Sequence, residues 1–158
     1  MPRPGVSWMM SFLASVTVGC GGAAPGALTP VERQALGDTV LTLFDSVSAI
    51  HSGHPDTTLL RRLHPAGDTL LFVEGELVEH FTGDSLYRRV LALHVPVRTM
   101  DQQFTERRAH VLSRTMAVLT AREVVHWADT SGAHEWRGVL TLVVERGSLG
   151  WVIRAYRG

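Results

Sequence analysis

The chain contains no lysine and no asparagine, and Cys20 is its single cysteine. One thiol cannot form an internal disulfide, and it leaves no material for a cysteine-rich metal site or a Cys/His catalytic pair. Formal charge balances at zero, fifteen arginines against fifteen carboxylates. There is no basic footprint of the kind that attracts a phosphate backbone, so nucleic acid is excluded as an expected partner. Apolar runs are also short: none reaches the roughly 20 residues that a helix needs to cross a bilayer. A glycine-rich phosphate loop and a nucleophile elbow are missing, and no motif asks for a cofactor. Arginine as the sole strong base, with asparagine absent, is the usage expected of a GC-rich coding sequence. Each arginine still brings a permanently charged, planar fork that can grip a carboxylate with two hydrogen bonds.

What is present suffices for one domain: 158 residues, nearly half of them apolar. Residues 1–19 carry one cationic side chain, Arg3, then an apolar run from Val6 to Val18 and a small residue, Gly19. This is the layout of a secretory leader. Thr17-Val18-Gly19-Cys20 resembles the bacterial lipobox, with Thr17 where leucine is usual. That resemblance implies diacylglycerol on Cys20, cleavage before it, and a lipid anchor in the cell envelope, on the periplasmic side of an outer membrane if the host has one. An ordinary leader cut near Ala24 is the alternative. Residues 20–28 read as a flexible Gly/Ala/Pro tether, and residues 29–158 as the folded domain.

Thr29-Pro30-Val31-Glu32 supplies an N-cap, a proline at the first helical position and a capping-box glutamate. Val31, Ala35, Leu36, Val40, Leu43, Phe44, Val47 and Ile50 then form one apolar stripe, predicting a single helix to about His51. Asp56 caps a short second helix, TTLLRRL. Thr69–Val73 and Leu77–Phe81 flank Gly75 as a hairpin, and Thr82 opens a third helix that ends before Pro96. Long strands are predicted near residues 97–111, 115–128, 133–145 and 150–157, with turns between them.

That order, closed by Gly150-Trp151-Val152-Ile153-Arg154 and with Leu70-Phe72-Val73 before Gly75 as a first strand, resembles the SnoaL-like branch of the nuclear transport factor two-like superfamily. The resemblance implies an α+β, cone-shaped fold: three N-terminal helices packed in a curved antiparallel sheet, around a cavity. Such a fold hosts isomerases, dehydratases, cyclases and plain binding or dimerisation modules, so it names no function.

Candidate site residues follow from strand parity. Glu123 shares a face with Leu119, Ala121, Val125 and Trp127, an otherwise apolar set, and is the carboxylate most open to a cavity role. Asp101 shares its face with Thr99, Gln103 and Thr105. Tyr87 and Tyr156 could each offer a phenolic hydroxyl, but the first helix has no tyrosine, which counts against a steroid-isomerase-like site. Tyr87, Gln103 and Glu123 are the expected ligand contacts, and no catalytic set is assigned. His51-x-x-His54 sits at a helix exit beside Gly53 and Pro55 and would need a third ligand from elsewhere, so no metal centre is expected. His126 faces either His134 or Glu135, depending on hairpin register.

Three functions remain open from sequence: a non-catalytic module holding a small apolar ligand, an enzyme using Glu123 or Asp101 as base, and a homodimerising domain whose cavity is filled. Thr120, Arg122, Arg137, Thr141 and Arg154 would make the dimer face partly polar. The anchor is testable directly. Cys20→Ser is expected to move the protein from the membrane to the soluble fraction after cell lysis, and retention in the membrane fraction would count against acylation.

Overall fold

A computed structural model describes residues 27–53 and 55–158. The expected leader, Cys20 and most of the tether lie outside the described residues, as does His54. Leu28, the last residue of the expected tether, packs against the core.

Helix α1 (Pro30–Leu41) begins as its sequence dictates. The Glu32 amide donates to the Thr29 hydroxyl at 3.2 Å, and the Glu32 carboxylate accepts from the Thr29 amide at 2.8 Å. The single long helix expected from the apolar stripe is divided at Thr42, where α2 (Leu43–His51) takes over. The Thr42 hydroxyl donates to the Thr39 carbonyl at 2.8 Å, a local bond that competes with the helical ladder. The buried stripe is correspondingly shorter than expected. Val31 is 79% exposed, whereas Val40, Leu43, Phe44, Val47 and Ile50 are buried. Helix α3 (Thr57–Leu63) is capped by Asp56, whose carboxylate accepts from the Leu59 amide at 2.9 Å. Strands β1 (Thr69–Glu74) and β2 (Leu77–Thr82) form the hairpin, and α4 (Gly83–His94) follows from the Thr82 cap. The structure thus has four helices among the described residues, not three. None of them is long and apolar enough to cross a membrane.

The rest is sheet: β3 (Thr99–Val111), β4 (Met116–Asp129), β5 (Gly132–Gly147) and β6 (Gly150–Arg157). The six strands form one curved, unclosed sheet in the order β2-β1-β6-β5-β4-β3. Neighbours run antiparallel except β1 and β6, which pair in parallel from Leu71–Ala155 to Val73–Arg157. The helices fill the concave side: α1 and α2 lie on β3, α3 on β6, and α4 against β2.

Two irregularities shape the concave face. Between Thr105 and Arg108, β3 advances three residues while β4 advances two, and Glu106 there takes a φ of 49°. Before this bulge the even-numbered Gln102 and Phe104 are buried, and after it the odd-numbered Val111 is. In β6, Ala155 pairs with Val143 but Ile153 with Val144, so Arg154 is the extra residue. A bulge bends its strand and resets which face each side chain takes. Inside the bend, Phe44 of α2 meets Phe104 of β3 with ring centroids 5.0 Å apart, and Leu119, Leu140 and Leu142 are fully buried beneath.

Helix α4 comes so close to the α3–β1 connection that only glycine fits at its start. A Cβ on Gly83 would lie 2.2 Å from the Pro65 carbonyl oxygen and 2.5 Å from that of His64, both backbone atoms. Gly83→Ala is therefore expected to lower unfolding free energy by about 1–3 kcal/mol. Gly67→Ala, with open space around the added methyl, is expected to stay within about 0.5 kcal/mol of the parent. Urea denaturation of the two variants checks the contrast.

Candidate functional site

Between the concave sheet face and helices α2, α3 and α4 lies a cavity of about 580 Å³. Side chains of the described residues leave this space unfilled. Leu70, Val125 and Ile153 line it from the sheet, Val47 and Ile50 from α2, and Leu86 and Val90 from α4. The aromatic rings of Phe72, Phe81, Trp127, Trp136 and Tyr156 complete walls that are mainly apolar. Phe72 and Tyr156 face each other across the β1/β6 pairing and stack at 5.1 Å. Ile153 and Tyr156 both line the cavity because the extra residue Arg154 lies between them. In an unbroken strand, residues three apart would point to opposite faces.

The polar exception is a cluster on the inner face. Glu123 on β4 stands opposite Phe104 on β3 and Gly138 on β5. Gly138 adds no side chain there, and the Trp136 indole folds over it, so that a Cβ at Gly138 would come 2.2 Å from the ring. Glu123 is 2% exposed and Gln102 5%. The Gln102 side-chain amide donates to Glu123 Oε1, and the Gln102 backbone carbonyl accepts from the Ser48 hydroxyl of α2. Glu123 Oε2, Gln102 Oε1 and His64 Nδ1 are buried without a hydrogen-bond partner, and all three residues line the cavity. Orphaned polar atoms are uncommon in protein interiors, and three around one cavity mark a place where a ligand's polar group can be met.

Burial pushes the Glu123 carboxyl above its usual range; the Gln102 donor opposes this, and the nearby Glu74 charge reinforces it. Burial also pushes the Tyr156 phenol well up, helped by Glu123 and Glu74. For His51 and His64, burial lowers the pKa to about 4, with a smaller push from His94 on His51 and from His51 on His64. Both imidazoles are therefore neutral near pH 7. His51 stacks on His94 at 5.7 Å, and the ring of His94 is held by the Val90 carbonyl at 2.8 Å from Nδ1. No group of three or more His, Cys, Asp or Glu side chains gathers around a common point among the described residues.

Of the expected contacts, Glu123 lines the cavity. Gln103 does not: it is exposed and donates to Asp101 at 2.6 Å, on the outer face of β3. The inward amide is Gln102, one residue away, which shares parity with Met100 and Phe104. The polar set Thr99, Asp101, Gln103 and Thr105 is the solvent face of the strand, so Asp101 is no cavity base either. Tyr87 also departs from expectation. It packs at the edge of the core beneath the Arg61 guanidinium, 4.3 Å from the ring centre, outside the cavity lining. Tyr156 is the tyrosine at the cavity. The apolar residues flanking Gln102 on its own face were the signal that could have found it.

Near the β4–β5 turn, the register sets His126 opposite Glu135, with 3.0 Å between Nε2 and Oε2, and stacks Trp127 on His134 at 5.1 Å. The Ser131 hydroxyl and amide, with His134, donate to Asp129 and hold its carboxyl well below the usual range. On the outer face, Arg122 pairs with Glu106, Arg137 with Glu135, and Arg154 with both Asp68 and Glu145. The arginines expected at a dimer face are thus already paired within the chain.

The raised Glu123 pKa gives a stability test. The folded state holds this proton more tightly than the unfolded chain, so as pH rises past the ordinary value of 4.5 the fold loses stability until Glu123 itself ionises. Glu123→Gln removes that penalty. The variant is expected to exceed the parent in stability at pH 7.5, with the gap closing toward pH 4.5. Urea midpoints across that range would show it, and a gap independent of pH would contradict it.

No family model and no curated relative matches the sequence. Solved structures do. The Kfla4162 protein of Kribbella flavida superposes with a TM-score of 0.67 at 15% identity, covering 75% of this chain and 85% of that one. A nuclear transport factor 2-like superfamily protein from Salmonella enterica serovar Typhimurium gives 0.61 at 13% identity, covering 79% and 87%. The association domain of Caenorhabditis elegans CaMKII gives 0.58 at 19% identity, covering 78% and 93%. At these identities the likeness is one of architecture, and the chain has the nuclear transport factor 2-like fold, its helices held in the curve of an open six-stranded sheet.

Proposed function

We propose that the protein is an envelope-tethered binding module that holds a small, mostly apolar molecule in its cavity. The observation that carries this reading is the cavity of about 580 Å³ with aromatic and aliphatic walls, the buried Glu123–Gln102 pair and the buried His64 on its lining. Binding sites are commonly of this size and make-up, with a few polar groups fixing orientation. The ligand's apolar body would lie against Phe72, Trp127, Trp136 and Tyr156, and its polar end would meet Glu123 and Gln102. Tethering rests on Cys20 and its flanking sequence.

A second reading, acid–base catalysis by Glu123, draws support from a buried carboxyl with a raised pKa and one oxygen free toward the cavity. The imidazoles on the wall do not supply a complementary base. His51 and His64, with pKa values of about 4, accept protons weakly at neutral pH, and this favours binding over turnover. Pairing of two copies through the outer face of β4 and β5 is compatible with either reading. The likeness to an association domain and the 58% exposure of Val139 on that face support it.

Native mass spectrometry of the purified protein, after incubation with an envelope lipid and metabolite extract, is expected to show a bound small molecule. Val125→Trp, which pushes an indole into the cavity, is expected to abolish that added mass. An unliganded parent spectrum, or equal binding by the variant, would overturn the reading.

A further inference from the structure

Around the cavity, carboxylates outnumber free cations. Glu74, Glu123 and Asp129 border it, against a single arginine, Arg89. That arginine is engaged already, donating to Glu79 at 3.1 Å and lying 5.1 Å from the centre of the Phe81 ring. His51 and His64, the other basic side chains on the wall, contribute no charge at neutral pH because burial holds them neutral.

Within this setting Glu74 and Glu123 converge on one region. Glu74 follows Phe72 by two residues and shares its face of β1, and Phe72 stacks on Tyr156. Glu74 acts electrostatically on both Glu123 and Tyr156. Neither carboxylate has an ion-pair partner among the described residues, and Arg89, the arginine on the cavity wall, is bound to Glu79; Arg157, opposite Val73 on β6, lies outside the lining. Asp129, near the β4–β5 turn, has only Ser131 and His134.

Acidic residues alone would specify nothing. Here a second observation points to a ligand: Glu123 is 2% exposed, lines the cavity, and carries a buried Oε2 with no partner. Aromatic faces lie beside it, and such faces attract cations through their quadrupoles, most strongly where water is excluded. A carboxylate facing an ammonium in that setting forms a charge-assisted hydrogen bond about twice as strong as a neutral one. An anion in the same place would meet Glu74 and Glu123 without a free arginine on the cavity wall to offset them.

We propose that the cavity selects an organic amine: one cationic nitrogen, placed toward Glu123 and Glu74, on an apolar body held by the aromatic walls. This rests on the reading of the cavity as a ligand site and adds the charge of the occupant.

Isothermal titration calorimetry of the purified protein at pH 7.5 with three probes sharing an indole body tests it: tryptamine as cation, tryptophol as neutral alcohol, and indole-3-propionate as anion. Tryptamine is expected to bind about tenfold more tightly than tryptophol, with the propionate weakest. Glu123→Gln and Glu74→Gln are each expected to reduce the ratio of tryptamine to tryptophol affinity severalfold. Glu74 is exposed, so its variant keeps the test interpretable even if the buried substitution perturbs folding. Tryptophol binding as tightly as tryptamine, or the propionate binding best, would overturn the charge preference and leave the cavity reading standing. Failure of all three probes would overturn the preference as well, and together with an unliganded native mass spectrum it would overturn the cavity reading too.

Discussion

A sheet of six strands can wrap around helices only if it bends, and here the bend depends on extra residues in β3 and β6. The bulge at Glu106 lets β3 present Gln102 and Phe104 inward at one end and Val111 inward at the other. The bulge at Arg154 turns Ile153 and Tyr156 to the same side. Without them, strict alternation would move part of each strand's apolar set to the solvent face. The core contact between Phe44 and Phe104, the stack of Phe72 on Tyr156 and the cavity between them all follow from that curvature.

Curvature also explains why a carboxyl can be buried at Glu123. Its face of β4 is otherwise apolar, and burying a charge there without a partner is costly. The structure lessens the cost in two ways: Gln102 donates to one oxygen, and the environment shifts the carboxyl toward its neutral form. Ser48 on α2 holds the Gln102 backbone in turn, so the cluster is braced by the helix that fills the sheet's concavity. Fold and candidate site therefore share the same contacts, and a change in how α2 seats would alter both.

Much of the fold was legible because local chemistry and global packing agree. The Thr29 and Thr82 caps, the Asp56 cap and the turns at Gly75 and Gly132 fall where their residue types demand them. Glu123 was legible for a similar reason: Leu119, Ala121, Val125 and Trp127 share its parity on a strand that carries no bulge of its own. Gln103 lies away from the cavity, and its sequence could not show this because a polar stretch on an edge strand looks alike whether it faces water or a cavity. The inward member of Thr99–Thr105 is identified by its apolar neighbours Met100 and Phe104, not by its own polarity. Tyr87 shows the same limit on a helix, where an arginine from α3 covers the ring.

The sequence by itself determined the order of elements, the helix starts, the long strands and the suspicion attached to Glu123, because capping, periodicity and turn chemistry act over a few residues. Only the tertiary structure decided that one helix becomes two at Thr42, that β1 pairs in parallel with β6, and that Gln102, His64 and Tyr156 line one cavity with Glu123. Those outcomes depend on register, bulge position and helix seating. Each is a balance among contacts far apart in the chain, and no short stretch of sequence carries it.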